Sequence, residues 1–187
     1  MVEFFNRCNL FHGLSKDAKA RVAEKSCIVN YPARTLVLRE KEIPLNVYIV
    51  KQGGLKILRK IHKDAVIAQD KSNAIPEPEL DKIDDEIIME VSTLTEGSYV
   101  CDYEFVWQTP MKNSVMTFLP TELIYISMYD IIDVLTVNDI SILQTNIREY
   151  PKDREIIQNY INLTRWDRFQ KIIIDNVEFG SKFGTKI

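Results

Sequence analysis

The residues able to do chemistry in this chain gather in one run, Gly97-Ser-Tyr-Val-Cys-Asp-Tyr-Glu-Phe-Val-Trp-Gln-Thr-Pro-Met-Lys-Asn-Ser-Val115. Cys101, Asp102, Tyr103, Met111, Lys112, Asn113 and Ser114 place a thiol, a carboxyl, a phenol, a thioether, an amine, an amide and a hydroxyl close together. A turn glycine, a short apolar helical stretch, Thr-Pro and then a strand follow one another along this run. Outside the run, His12 and His62 have no metal-ligand spacing to Cys8, Cys27 or Cys101, and they read as solvated. Asp84-Asp85-Glu86 lacks the glycine-bearing pattern of a calcium loop and reads as solvated too. There is no nucleophile elbow, no P-loop, and no histidine set beside a carboxylate. The expectation is a protein that is not an enzyme and holds no metal or cofactor.

The elements that must position this run are short strands. Ser15 begins a helix, with Asp17 in its first turn and Ala18, Val22 and Ala23 as a narrow apolar face. Leu10, Phe11 and Leu14 precede it as packing residues. From Cys27 to Leu58 the pattern changes to CIVNY, TLVLRE, NVYIVKQ and GLKILRK, rich in β-branched residues and divided by Pro32, Pro44 and Gly53-Gly54. Such spacing predicts a sandwich or barrel. Residues 62–90 carry −6 in a chain of net charge −3, with Pro76 and Pro78, and predict an acidic loop inserted between two strands. Strands resume at Ile87–Val91, Ser114–Phe118 and Glu122–Ser127.

Beyond Met128 the pattern is helical. Ile131, Ile132 and Leu135 make one short helix and Ile140–Ile147 a second. Pro151, with Asp153 and Glu155 behind it, starts a long one. Ile156, Tyr160, Leu163, Trp166, Phe169, Ile173 and Val177 form its apolar stripe, and Gly180 and Gly184 end it. The first half of the stripe reads as a lid on the chain's own strands. The second half, with Trp166, Phe169, Ile172, Ile173 and Val177, reads as an interface for a protein partner. Net charge −3 argues against a nucleic-acid partner, and no apolar run is long enough for membrane insertion. The N-terminal residues lack a signal-peptide plan and the three cysteines are widely spaced, so the expected setting is cytoplasmic and reduced.

Helix, eight-strand β-roll and terminal helices, in that order, resemble the cyclic-nucleotide-binding domain from about Leu10 to Leu135. Leu10-Phe-His-Gly-Leu-Ser resembles the family's approach to its first helix. Tyr31-Pro-Ala-Arg-Thr-Leu-Val-Leu-Arg-Glu-Lys is similar to the Tyr-x-x-Gly-x-x-Ile/Leu-x-x-x-Gly strand pair, with Ala33 or Arg34 and Lys41 in place of its glycines. Tyr48-Ile-Val-Lys-Gln-Gly53 matches Tyr-Ile-Ile-x-x-Gly. The family's cassette reads Phe-Gly-Glu-Leu-Ala-Leu-Leu and then Thr-Pro-Arg-Ala-Ala-Thr-Val. Anchored on Thr109-Pro110 and Val115, it puts Met111 at the arginine, Asp102 at the glutamate and Cys101 at the glycine. The resemblance implies a mainly β fold with flanking helices: a double-stranded β-helix, or jelly roll, with an N-terminal helix and C-terminal helices. Residues 1–135 would form the roll and 136–187 a helical extension.

What the family grips with, this chain replaces. Methionine has neither the charge nor the forked donor of arginine. Asp102 is one methylene short of the residue that accepts the ribose hydroxyl, and a cysteine Cβ crowds a backbone meant to approach phosphate. Truncating one partner of a buried charge pair costs roughly 2–5 kcal/mol, about 30-fold or more in affinity. The resemblance therefore implies a non-catalytic module with a degenerate pocket, acting as a scaffold or assembly component with protein partners. Exclusion of the helix-turn-helix, kinase-inhibitor and membrane-spanning contexts leaves a ciliary or axonemal setting among those the family occupies. The alternative is a regulatory sensor, holding cAMP or cGMP through Lys112 and Asp102 or taking a less anionic ligand.

Overall fold

Ser15 does what its position predicts. Its hydroxyl accepts the Ala18 amide at 3.1 Å and starts helix α2 (Lys16–Lys25), whose Ala18 and Val22 are fully buried. Before it come α1 (Val2–Phe5) and a 3-10 turn at Asn9–Phe11, joined through the Phe5 and Phe11 rings at 4.7 Å. The structure, a computed structural model, describes residues 1–70 and 84–183, with side chains as far as residue 174. In chain order follow β1 (Cys27–Tyr31), β2 (Leu36–Leu38), β3 (Asn46–Gln52), β4 (Leu55–His62), α3 (Lys63–Gln69), β5 (Glu86–Leu94) and β6 (Tyr99–Val100). Then come α4 (Asp102–Trp107), β7 (Ser114–Thr117), β8 (Thr121–Ser127), α5 (Met128–Val134), α6 (Val137–Thr145) and α7 (Asp153–Phe183).

The strands form two four-stranded sheets in the orders β1-β8-β3-β6 and β2-β7-β4-β5, as the jelly-roll reading requires. The period-two burial of each strand explains why. In β3, Val47 and Ile49 are inward, and in β4, Leu55, Ile57, Arg59 and Ile61 alternate with outward Lys56, Leu58, Lys60 and His62. Every sheet pair with a described register is antiparallel; β3 meets β8 from Asn46↔Ser127 to Gln52↔Glu122. Of these, Val47, Ile49, Leu55 and Ile57 join Phe5, Phe11 and Leu14 in one core. A capping box between Thr136 and Asp139 begins α6, and Arg21 of α2 reaches Asp139 at 3.6 Å and the Val134 carbonyl at 2.8 Å.

The chain divides into two compact units, one of Met1–Arg59 with Glu90–Tyr150, the other of the described parts of residues 60–89 and 151–187. In the second unit, α3 and α7 meet: Gln69 Nε2 donates to the Arg154 carbonyl at 2.7 Å, and Val66, Ile156, Ile157 and Ile161 are buried. No described helix is long and apolar enough to cross a membrane.

Four expectations need correction. The segment expected as a loop over 62–90 carries a helix at Lys63–Gln69, because Val66 supplies a buried apolar position that the overall acidity masks, while the strand expected from Ile87 begins at Glu86. Residues 71–83, its proline-bearing middle, lie outside the described residues. Strand β6 escapes sequence reading because two residues cannot show a period. Helix α7 runs through Gly180 to Phe183, since a glycine costs a helix only about 1 kcal/mol and leaves its hydrogen-bond donor in place. The buried set of α7 is Ile156, Ile157 and Ile161, while Leu163 and Trp166 are exposed.

Two turn positions carry the resemblance into the backbone. Arg34, rather than Ala33, and Lys41 have φ of 61° and 72°, the left-handed region that glycine occupies without strain. Gly53 has φ 92°, and a Cβ there would stand 2.4 Å from the Pro120 carbonyl oxygen. Gly53→Ala is expected to cost about 2–3 kcal/mol in urea denaturation. Lys41→Gly, at an exposed site, is expected to gain up to about 1 kcal/mol. A Gly53→Ala midpoint equal to that of the parent chain would overturn this account of the turn.

Candidate functional site

The site is built where β6 ends. Tyr99 and Val100 pair with Ile49 and Tyr48 of β3, and the Gly97 amide donates to the Val50 carbonyl at 2.8 Å. Cys101 then turns the chain with φ 70°, α4 makes one and a half turns, and Gln108 ends it with φ 51°. Met111 returns alongside the β2–β3 turn, its amide donating to the Glu42 carbonyl and its carbonyl accepting from the Lys41 amide, both at 2.8 Å. The left-handed Cys101 sits where the resemblance puts a glycine, so the register read from Thr109-Pro110 and the backbone agree.

From Met111 the side chains alternate. Met111, Asn113, Val115 and Thr117 are buried, Lys112 is exposed, and Ser114 and Met116 lie between. Met111 and Cys101 meet inside, the thiol pointing to the thioether sulfur at 3.7 Å. Burial pushes the Cys101 thiol well above its ordinary value, with the Glu104 and Asp102 charges adding to it. Such a thiol is inert rather than redox-active. Lys112 is outside, its ammonium 5.0 Å over the Tyr103 ring. Asn113 Oδ1 accepts from Arg59 Nε at 2.7 Å, and Ser114 Oγ accepts the Glu40 amide at 3.0 Å.

The carboxyls are buried. Asp102 is 3% exposed and accepts the Arg148 amide at 3.1 Å; burial raises its pKa first, against the Arg148, Asp102 and Tyr103 amides, which lower it. Glu104 is 2% exposed, and burial raises its pKa first, with Asp102 adding to the rise. No hydrogen bond of proper geometry reaches either Glu104 oxygen, although the Glu104 and Lys112 amides lie near enough to favour the ionised form somewhat. Thr109 Oγ1 and Asn113 Nδ2 are likewise buried without a partner among the described residues. Over this cluster runs the segment after α6: Tyr99 donates its hydroxyl to the Asn146 carbonyl at 2.6 Å, and the Arg148 guanidinium lies 4.7 Å from the Tyr99 ring. The Tyr150 hydroxyl is raised well above its ordinary value, by burial and then by Glu104 and Asp102.

Of the cassette residues named from the sequence, Cys101, Asp102, Met111 and Asn113 are buried, Tyr103 and Ser114 are half-buried, and Lys112 is exposed. Sequence reading missed Arg59, Tyr99, Arg148 and Tyr150. Arg59 had a signal, an arginine on the apolar phase of β4. Tyr99 stands within the run itself, two residues before Cys101, whereas Arg148 and Tyr150 had no signal, since they reach the site only through the tertiary fold. On the second unit, Trp166, Phe169, Ile172 and Ile173 are 55, 52, 49 and 45% exposed, and the side chain of Val177 lies outside the described residues. No group of three metal-ligating side chains occurs among the described residues.

No family profile matches the sequence, and no curated protein matches it. Solved structures do. The regulatory domain of a Toxoplasma gondii protein kinase A, crystallised with cAMP, matches with a TM-score of 0.59 at 12% identity over 77% of this chain. The match takes in 47% of that chain, so this protein spans about half its length. The N-terminal domain of a transcriptional regulator from Streptomyces coelicolor matches at 0.58 and 14% over 78% of this chain and 88% of that one. A cyclic nucleotide-binding-like protein from Brucella abortus matches at 0.51 and 13%, over 71% and 95%. The fold is that of the cyclic-nucleotide-binding domain.

Glu104 makes a pH dependence testable. Its folded pKa lies above the ordinary 4.5, so between the two values the folded chain holds a proton that the unfolded chain has lost. Its contribution to stability is full below 4.5 and falls as pH rises through that interval. Glu104→Gln is expected to be more stable than the parent at neutral pH, with the difference narrowing toward pH 4.5 in denaturation curves. Parallel stability–pH profiles would sink the assignment.

Proposed function

We propose that this chain is a non-catalytic module of cyclic-nucleotide-binding fold whose pocket no longer takes a cyclic nucleotide, and that it serves as a scaffold or assembly component. The observation that carries this reading is the Met111–Cys101 contact. The position of the phosphate-gripping arginine holds a thioether that is 2% exposed and packed sulfur to sulfur against the side chain replacing the glycine. An anion there would lack the forked donor that arginine supplies: Lys112 faces out, Arg59 is bonded to Asn113, and two buried carboxyls, Asp102 and Glu104, stand in α4. Like charges brought together in a dry site oppose binding.

The interaction surface of this reading is the later part of α7. Counted at 3.6 residues per turn, Trp166, Phe169 and Ile173 point roughly 170° away from the buried Ile156, Ile157 and Ile161. One rigid helix cannot turn both faces to the same body, so the exposed face is free for a protein partner, while Ile172, exposed too, lies off that face and nearer the direction of Ile161. Placing the module in the cytoplasm, and within a cilium or axoneme, rests on the sequence reading and the resemblance alone.

One observation favours a second reading, a sensor for a ligand other than an anion. Glu104, Thr109 and Asn113 hold buried polar atoms without partners, and all three belong to the cassette. Such atoms are costly unless something satisfies them.

Thermal shift and calorimetry with millimolar cAMP and cGMP are expected to show no stabilisation of the parent chain. Clear stabilisation by either nucleotide overturns the scaffold reading in favour of a cyclic-nucleotide sensor, and with it the reading of a ligand other than an anion. The double variant Cys101→Gly/Met111→Arg is expected to gain a nucleotide-dependent rise in Tm, which tests the register of the replaced residues. For the surface, Trp166→Glu with Ile173→Glu is expected to change stability by no more than about 0.5 kcal/mol, since both sites are exposed. The same variant should lose any partner that co-purifies with the parent chain. Retention of that partner removes α7 from the interface.

A further inference from the structure

We infer that Asp102 works as a built-in latch: its buried carboxylate holds residues 146–150 down across the cassette without any ligand. Four hydrogen bonds and one cation–ring contact converge on this strap. Asp102 Oδ2 accepts the Arg148 amide at 3.1 Å, and the Tyr99 hydroxyl donates to the Asn146 carbonyl at 2.6 Å. Asn146 Nδ2 donates to the Leu10 carbonyl at 3.0 Å and the His12 carbonyl at 2.8 Å. The Arg148 guanidinium covers the Tyr99 ring at 4.7 Å. The strap has no helix or strand of its own between Thr145 and Asp153, so side chains of the first unit must supply its order.

The Asp102 contact differs in kind from the others. It is a charge-assisted hydrogen bond in a site almost free of water, with the acceptor 3% exposed. Losing it strands the Arg148 amide, which has no other hydrogen bond recorded among the described residues. The Tyr99 and Asn146 bonds remain when Asp102 is removed, so the strap loosens first at Arg148. An anchor of this kind makes the chain leading into α7 indifferent to ligand. The negative group that seats the strap is part of the protein, not something the protein must bind.

The latch rests on these hydrogen bonds and stands apart from the question of nucleotide binding. Its test uses the full chain in the absence of any nucleotide, with amide hydrogen exchange read at residues 146–150. Asp102→Ala is expected to speed exchange at Arg148 by roughly 10- to 100-fold, the worth of one hydrogen bond to a charged group. Exchange in β3 and β8 should stay at the parent rate. Asp102→Asn keeps an oxygen acceptor without the charge and should fall between the two. Should Asp102→Ala unfold, Tyr99→Phe removes only the Asn146 contact from the other side and should speed exchange across the strap. Unchanged exchange at Arg148 in a folded Asp102→Ala, or in both Asp102→Asn and Tyr99→Phe, overturns the latch. A nucleotide titration that fails or succeeds leaves this outcome untouched.

Discussion

The alternation of a strand decides what this site can be. From Met111 to Thr117 every second side chain is buried, the alternation of β7 (Ser114–Thr117) continuing back through the three residues before it, so Met111 lies inside. An arginine there would be a buried cation, costly until an anion paired with it. A methionine there is core. The roll then packs its own side chains at this position, Met111 against Cys101. Cys101 completes the change from the facing side, because the left-handed turn that aims the backbone at the site also aims the thiol at Met111.

That substitution has consequences for the groups around it. Asp102 and Glu104 lie in the first turn of α4, where carboxyls are favoured near free amides. Asp102 finds a partner in the Arg148 amide, and Glu104 finds none. The two therefore carry different loads despite similar burial. One has become a structural acceptor. The other is a buried acid whose burial favours its proton, and its cost falls on the fold itself. Arg59, seated on the apolar phase of β4 and bonded to Asn113, shows that the interior still accommodates a cation, but one paired to a neutral amide acceptor and placed on a different strand.

The second unit follows a separate logic. Helix α7 spends its first two turns on α3, through Ile156, Ile157 and Ile161, and then exposes Trp166, Phe169 and Ile173 on the opposite side. The Trp166 and Phe169 rings lie 5.8 Å apart, and with Asn162 and Arg165 they line a shallow depression of about 380 Å³. Aromatic side chains left in water at such density suit a docking face better than a lid. In the sequence the stripe looked continuous because a spacing of three or four drifts around a helix without announcing where the drift has crossed to the other side.

Taken alone, the sequence determined the elements. Strand phase, the Ser15 cap, the Gly53 turn and the Thr109-Pro110 frame are local, and a period of two or a single φ > 0 is visible in the order of residues. It also identified Met111 and Cys101 as replacements, since their positions follow from counting along one strand and one turn. What the tertiary structure decided is which distant groups meet. Arg148 reaches Asp102 across 46 residues, Asn146 reaches Leu10 across 136, and both Glu104 oxygens are buried without a well-formed hydrogen bond among the described residues. Hydrogen bonds of that kind depend on how the sheets and helices close on one another, and closure belongs to the packing of the whole core rather than to any segment of it.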